Sequence, residues 1–291
     1  MRLRSLVFLL ASCGGSDSAA PDAAADVDAA PLGPFAAPAP IAELNTASIE
    51  EDPTLTADQL EIFFVSDRAG GAGLSDVWTS TRVSTTGVWS VPSNVVQLNS
   101  VSSELHPHVA LDGLSMYLAS NRAGTIGGLD IWFATRASRT APWTAPVRVV
   151  ELSSTANDFS AAPDSTNLVM VVDSDRGGAS LKDLYISTRT TDQAAWRGPT
   201  AIVQVDTANN DQDGVFADAG RALYFATGVG AGNDLMISVR PSTATAFGAP
   251  TPIAELNTAS SELDPWIGED QRTLVFNSDR AGTEDLYLST R

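Results

Sequence analysis

The sequence holds a single cysteine, Cys13, in 291 residues. That excludes a disulfide framework and any cysteine-rich zinc site. Basic residues are scarce: 17 Lys and Arg stand against 35 Asp and Glu, a formal net charge of −18. A sequence-independent grip on DNA or RNA needs Lys and Arg to displace counterions, so nucleic acid is not an expected partner. The same deficit removes a basic patch for anionic lipid. No apolar run approaches the roughly 18 residues of a spanning helix, and no stretch sustains helical periodicity. A Gly-x-Ser-x-Gly elbow and a phosphate-binding Gly-rich loop are both missing. What is present is enough apolar material, 43%, to build a folded core.

The start has the order of a secretory signal: Arg2 and Arg4, then Leu6-Val7-Phe8-Leu9-Leu10, then small residues before Cys13. Leu10-Ala11-Ser12-Cys13 resembles the bacterial lipoprotein box. The resemblance implies cleavage before Cys13 and lipidation of its thiol. Residues 1–12 are therefore expected to be a signal peptide. Residues 13–38, rich in Ala, Pro, Asp and Gly, bury too little to offset chain entropy and read as a disordered tether. The only expected membrane contact is the lipid.

Residues 39–291 are expected to form one repeat domain. Ile41 to Ser48 returns almost unchanged as Ile253 to Ser260. Ser66-Asp67-Arg68-Ala69-Gly70 has counterparts at Ser120 to Gly124, Ser174 to Gly177 and Ser278 to Gly282. Each copy closes on an Asp-led strand and an arginine: Arg82, Arg136, Arg189, Arg240 and Arg291, which are 54, 53, 51 and 51 residues apart. Trp89, Trp143 and Trp196, with Phe35 and Phe247, recur shortly before a proline. Runs such as Leu114 to Leu118 are apolar without alternation, as in strands covered on both faces. Four short strands per unit at a period near 50 indicate a β-propeller blade.

The Pro107 to Gly113 turn and the Ser-Asp-Arg-x-Gly element followed by Asp-aromatic resemble the WD40-like repeats of the TolB family. The fold expected is all-β: a five-bladed propeller of four-stranded antiparallel blades. The segment from Ala39 should supply the outer strand of the last blade and close the ring, removing an open seam.

An acid opens every first strand: Glu50, Glu104, Asp158, Asp211 and Glu262. Two residues on are Asp52, His106, Ser160, Asp213 and Asp264. The resemblance places first strands on the central channel. Residues two apart share a strand face, so both rows are expected at the channel mouth, where carboxylates could gather a cation or a basic peptide. The other reading of the repeated acids is scaffold, since a feature of every blade is more often structural. Arg68, Arg122, Arg176 and Arg280 are expected to pair with Asp76, Asp130, Asp183 and Asp285. Glu104, His106 and His108, at alternate positions, could hold zinc. Asn209, Asp211 and Asp213 resemble the start of a calcium loop, although position 220, where the bidentate Glu belongs, is Gly. Trp266 could stack on a sugar at the mouth or pack in the core.

The expectation is a monomeric envelope lipoprotein whose propeller binds a partner protein, without a cofactor, Ca²⁺ being the one left open. The alternative is a carbohydrate-binding or glycoside-hydrolase-like propeller acting on an extracellular glycan. No motif selects a catalytic pair, and an enzyme is not expected.

Overall fold

The computed structural model describes residues 32–178, 181–229 and 232–291. The signal, Cys13 and most of the tether lie outside the described residues. A two-residue strand comes first, β1 (Ala39–Pro40). Blade one holds β2 (Glu50–Leu55), β3 (Glu61–Ser66), β4 (Asp76–Thr81) and β5 (Ser93–Asn94). Blade two holds β6 (Glu104–Val109), β7 (Ser115–Ser120), β8 (Asp130–Thr135) and β9 (Val147–Arg148). Blade three holds β10 (Asp158–Pro163), β11 (Val169–Ser174), β12 (Asp183–Thr188) and β13 (Thr200–Ala201). Blade four holds β14 (Asp211–Ala217), β15 (Ala222–Val229), β16 (Gly232–Val239) and β17 (Thr251–Pro252). Blade five holds β18 (Glu262–Ile267), β19 (Thr273–Ser278) and β20 (Asp285–Thr290), with β1 as its outer strand. No helix occurs among the described residues.

The sheets are antiparallel throughout, and the inner strands meet in cyclic order: β2 with β6, β6 with β10, β10 with β14, β14 with β18, and β18 with β2. The chain is therefore the expected five-bladed ring. Apolar side chains from opposite faces of a blade enter different cores. Phe63 packs with Met116 and Leu118 of blade two, while Ile62 and Phe64 pack with Trp266 and Val275 of blade five. Each blade is thus covered on both faces, which is why its middle strand reads as a continuous apolar run.

The ring closes as expected: Ala39 pairs with Leu288 and Pro40 with Tyr287. Further bonds flank this short ladder. Ala36 N–H donates to Thr290 O at 2.8 Å and Ile41 N–H to Leu286 O at 2.8 Å. The Asn45 side chain accepts from Leu286 N–H at 2.9 Å and donates to Leu286 O at 3.0 Å. Asn99 makes the same double contact to Val77 inside the chain, at 2.8 and 2.9 Å. The seam therefore repeats the chemistry of an ordinary blade connection.

Two sequence repeats prove to be one device. The closing arginines lie over the recurrent aromatics: Arg82 on Trp89, Arg136 on Trp143, Arg189 on Trp196, Arg240 on Phe247 and Arg291 on Phe35, at 4.2 to 4.6 Å. Each also donates through Nε to a carbonyl in the turn between the first two strands of its own blade. A guanidinium suits this place because its flat face stacks while its edge bonds. Phe35 itself is only 4% exposed, so the ordered packing reaches beyond β1 to residue 35.

Candidate functional site

The acid that opens each first strand does not face the channel. Glu50, Glu104, Asp158, Asp211 and Glu262 are fully buried. Each accepts from the N–H and hydroxyl of a Ser or Thr four residues earlier. Four of them also pair with the Ser-Asp-Arg or Ser-Asn-Arg guanidinium: Arg68 with Glu50, Arg122 with Glu104, Arg176 with Asp158 and Arg280 with Glu262. This corrects the expected partners of these arginines. Asp76 and Asp130 instead accept N–H groups of their own hairpin loops. Blade four has no such arginine. Asp211 is held there by Thr207 and Thr227, with burial raising its pKa.

The shared-face expectation fails because the strands are bulged. Glu51 pairs with Val65 but Thr54 pairs with Phe63, so two residues oppose one. The same slip recurs in every blade. In four blades the second residue has a positive φ: Asp52 at 55°, His106 at 45°, Asp213 at 60° and Asp264 at 52°. A bulge with a left-handed residue breaks the two-residue alternation and re-aims the side chain. The acid therefore turns into the wall, and the residue two further on turns to the axis. Pro53, Pro107 and Pro265 follow directly, tolerated where the ladder is already interrupted.

Asp52, His106, Asp213 and Asp264 consequently meet. His106 Nδ1 lies 2.9 Å from Asp52, 3.4 Å from Asp264 and 3.7 Å from Asp213. The His106 backbone N–H also donates to Asp52, at 2.7 Å. Burial opposes charge on His106, but the Asp52 and Asp264 carboxylates outweigh it and hold the pKa well above the usual value. The imidazolium is thus the cation of this cluster. His108 behaves oppositely: burial, then the neighbouring His106 charge, pushes it down to about 3. With Glu104 turned into the wall, the candidate zinc trio of Glu104, His106 and His108 is not assembled. The calcium-loop residues do not converge either, since Asp211 lies in the wall, Asp213 lies on the axis and Asn209 is exposed.

One ligand atom each from Asp52, His106 and Asp264 falls within 4.8 Å of the others. A His106 imidazolium already offsets one of the two carboxylate charges in that trio and takes the place of a metal ligand. Asp183, Asp206 and Asp211 form a second acidic trio of the same span beside blade four, where Asp206 replaces the Asn or Ser of other copies. Trp266, 7% exposed, packs with Ile41, Leu55 and Val275, so of its two readings the core one holds.

Above the cluster a cavity of about 170 Å³ opens, lined by Glu51, Leu105, Lys182, Gln212, Leu263 and Glu284 together with the axial residues. Lys182, the chain's single lysine, lies 4.2 Å over the Phe159 ring. Burial opposes its charge, but Asp173 and Asp213 outweigh this and raise its pKa. Asp213 and Asp173 are each pushed up to about 7, first by burial. Glu51 goes up to about 10, through burial and then the charges of Asp52 and Asp264, and it hydrogen bonds Glu284. Asp213 Oδ1 and Asp264 Oδ1 are buried, and the cation beside them is His106 Nδ1, at 3.7 and 3.4 Å.

Glu51, Asp173, Lys182, Gln212 and Glu284 escaped the sequence reading, although a signal existed. Glu51 and Gln212 hold the place taken by Leu105, Phe159 and Leu263 in other copies. Lys182 and Glu284 each precede the Asp of a third strand, where Ser75 and Leu129 stand elsewhere. These are departures of single copies from the repeat.

Fold and site together define a five-bladed β-propeller with a carboxylate-rich, cation-bridged channel mouth. No family model and no curated protein matches the chain. Among solved structures, TolB from Acinetobacter baumannii is similar at a TM-score of 0.52 and 12% identity, over 86% of this chain and 56% of that one. The chain thus spans little over half of that TolB. A thermostable family-43 glycoside hydrolase is similar at 0.60 and 12% identity, over 85% and 90%. The catalytic domain of the Coprinopsis cinerea GH62 α-L-arabinofuranosidase is similar at 0.58 and 13% identity, over 88% and 96%. These likenesses establish the fold. They also overturn the expectation of a non-enzyme: two neighbours matched over 90% and 96% of their chains are a glycoside hydrolase and an arabinofuranosidase catalytic domain, and an elbow or phosphate loop is not what such a propeller requires.

Proposed function

We propose that the protein is a glycan-directed propeller whose ligand enters the channel mouth, with glycoside-hydrolase-like chemistry available there. One observation carries the reading: the cavity brings Glu51, which shares a proton with Glu284, together with the axial carboxyl of Asp213. Glycoside hydrolysis needs one carboxyl that donates a proton and one that stays ionised, and environment sets the two roles. Glu51 is the proton donor in this reading. Asp213, pushed up only to about 7, is the base or nucleophile, and Lys182 orients the sugar. The glycosidase neighbours support the glycan assignment, and their arabinofuranosidase member makes α-L-arabinofuranosides a reasoned first substrate.

The lipoprotein box at Cys13 and the Ala/Pro/Asp stretch behind it support placing the domain at a bacterial envelope, on a lipid leash. A protein partner is a second reading. Val83, Val88, Val91 and Val96 of blade one are 67 to 95% exposed, more apolar surface than a solvated blade edge needs.

The test is a panel of aryl glycosides and plant and bacterial polysaccharides, read by released reducing sugar and by calorimetry. Turnover or saturable binding lost in Glu51→Gln and Asp213→Asn supports the proposal. A folded protein that neither binds nor cleaves any glycan contradicts it.

A further inference from the structure

A second cavity lies between blades two and three, at the other end of the strands from the channel mouth. The mouth is built where first and third strands begin, and this cavity where they end. It holds about 370 Å³, the space of about twelve waters and within the usual ligand range of roughly 300–1,000 Å³. Blade two supplies Asp112, Ser115 and Phe133. Blade three supplies Asn167, Arg189, Asp192 and Gln193.

The repeat explains why this space is open. Between blades one and two the equivalent place is filled. Arg139 donates there to Glu61 at 3.2 Å and to Thr56 at 3.1 Å, and pairs with Asp58. Arg136 meets the same Glu61 through two donors, at 2.6 and 2.9 Å. One copy further on, Ser115 stands for Glu61 and Asp192 for Arg139. Two long side chains that interlock have become two short ones that do not. Phe133 lines the wall where Thr79, Ile186, Ile237 and Leu288 stand in the other copies, so the one aromatic at this position faces the one cleft that the exchange has opened.

The lining selects the ligand. Asp112 and Asp192 bring acceptors, Asn167 and Gln193 bring planar amides, and Phe133 brings an apolar face. The Arg136 charge is matched by Glu61. Arg189 stacks on Trp196 at 4.3 Å, and its Nε donates to Asn167 O at 2.7 Å. The two aspartates oppose an acidic ligand, and the two guanidinium groups oppose an amine. A neutral molecule dense in hydroxyls serves donors and acceptors together and can lay a ring face on Phe133.

We propose that this cleft binds a neutral disaccharide-length glycan, with one ring against Phe133 and its hydroxyls shared among Asp192, Gln193 and Asn167. The site is separate from the channel mouth and does not depend on chemistry there.

The test is calorimetric titration of the propeller with short cello-, xylo- and arabino-oligosaccharides, with oligogalacturonate as the charged control. Asp192→Arg restores the side chain that fills the cleft between blades one and two, with Asp112 placed to receive it as Asp58 receives Arg139. Position 192 is exposed, and the unfolding temperature checks that the variant folds. The expected result is saturable binding of at least one neutral series, insensitive to added salt and weakened at least about tenfold in Asp192→Arg and in Phe133→Ala. No saturable binding of any neutral series, or binding that survives in folded Asp192→Arg, overturns the proposal. Tighter binding of oligogalacturonate overturns it as well. Glu51→Gln separates the two sites. Binding lost in that variant and kept in Asp192→Arg would overturn the cleft and leave the channel-mouth reading standing, while the reverse pattern supports the cleft and counts against the mouth.

Discussion

Phe35 and Phe247 occupy equivalent places in the repeat, and only one of them crosses the seam. Phe35 is 4% exposed and lies 4.2 Å beneath Arg291. Phe247 is 6% exposed and lies 4.3 Å beneath Arg240. Replacing a buried Phe with Ala costs about 3–5 kcal/mol, from lost transfer energy and the cavity left behind. For a domain of this size about 1 kcal/mol corresponds to roughly 2–4 °C in unfolding temperature, so each variant should lose on the order of 6–20 °C. If the N-terminal segment is as firmly built in as an internal connection, Phe35→Ala and Phe247→Ala should agree to within about 1 kcal/mol. The assay is denaturant unfolding of the two variants beside the parent, with equal m-values confirming a common unfolded state. Phe35→Ala costing little while Phe247→Ala costs the full amount would show a fraying seam and refute the closure.

Three further outcomes are expected. Asp173 and Asp213 are pushed up to about 7, so the folded state holds their protons more tightly than the unfolded chain. Their contribution is complete below about pH 4, the usual carboxylate range, and is lost as pH climbs through about 7. His106, also raised, acts in the same sense above its usual value. Denaturant midpoints should therefore fall between about pH 5 and pH 8, and Asp213→Asn should flatten that fall; an unchanged slope would contradict the assignment. Arg280→Ala strands fully buried Glu262 without the guanidinium 2.9 Å away, a loss of about 3–5 kcal/mol. Adding Glu262→Gln should recover part of that loss, and no recovery would deny the pair. Trp266→Ala should cost about 3–5 kcal/mol of stability yet leave glycan affinity per folded molecule unchanged, which calorimetry on the variant can check.

The fold was legible because its signals are repeated. Five closing arginines, five aromatics and the return of Ile41 to Ser48 at Ile253 to Ser260 specify the blades, their number and even the strand that closes the ring. The repeated acids were legible as a pattern but not as a direction. Strand alternation sends Glu50 and Asp52 the same way, and only the bulge with Asp52 at φ 55° separates them. Nothing in the residues Glu50-Glu51-Asp52-Pro53 announces a left-handed residue, since Asp adopts it only by leave of its surroundings. The arginines were misassigned for a related reason: Asp76 is near Arg68 along the hairpin, but its loop N–H groups claim it first. Lys182, Asp173 and Glu284 were hidden because each is one departure in one copy, and their meeting depends on ring closure.

The most direct measurement is a crystal structure of the propeller with a bound oligosaccharide. A sugar at the channel mouth, in contact with Glu51, Lys182 and Asp213, is the predicted result. A sugar bound only on an outer blade edge, with the mouth left to solvent, would contradict the site on which the function has been built.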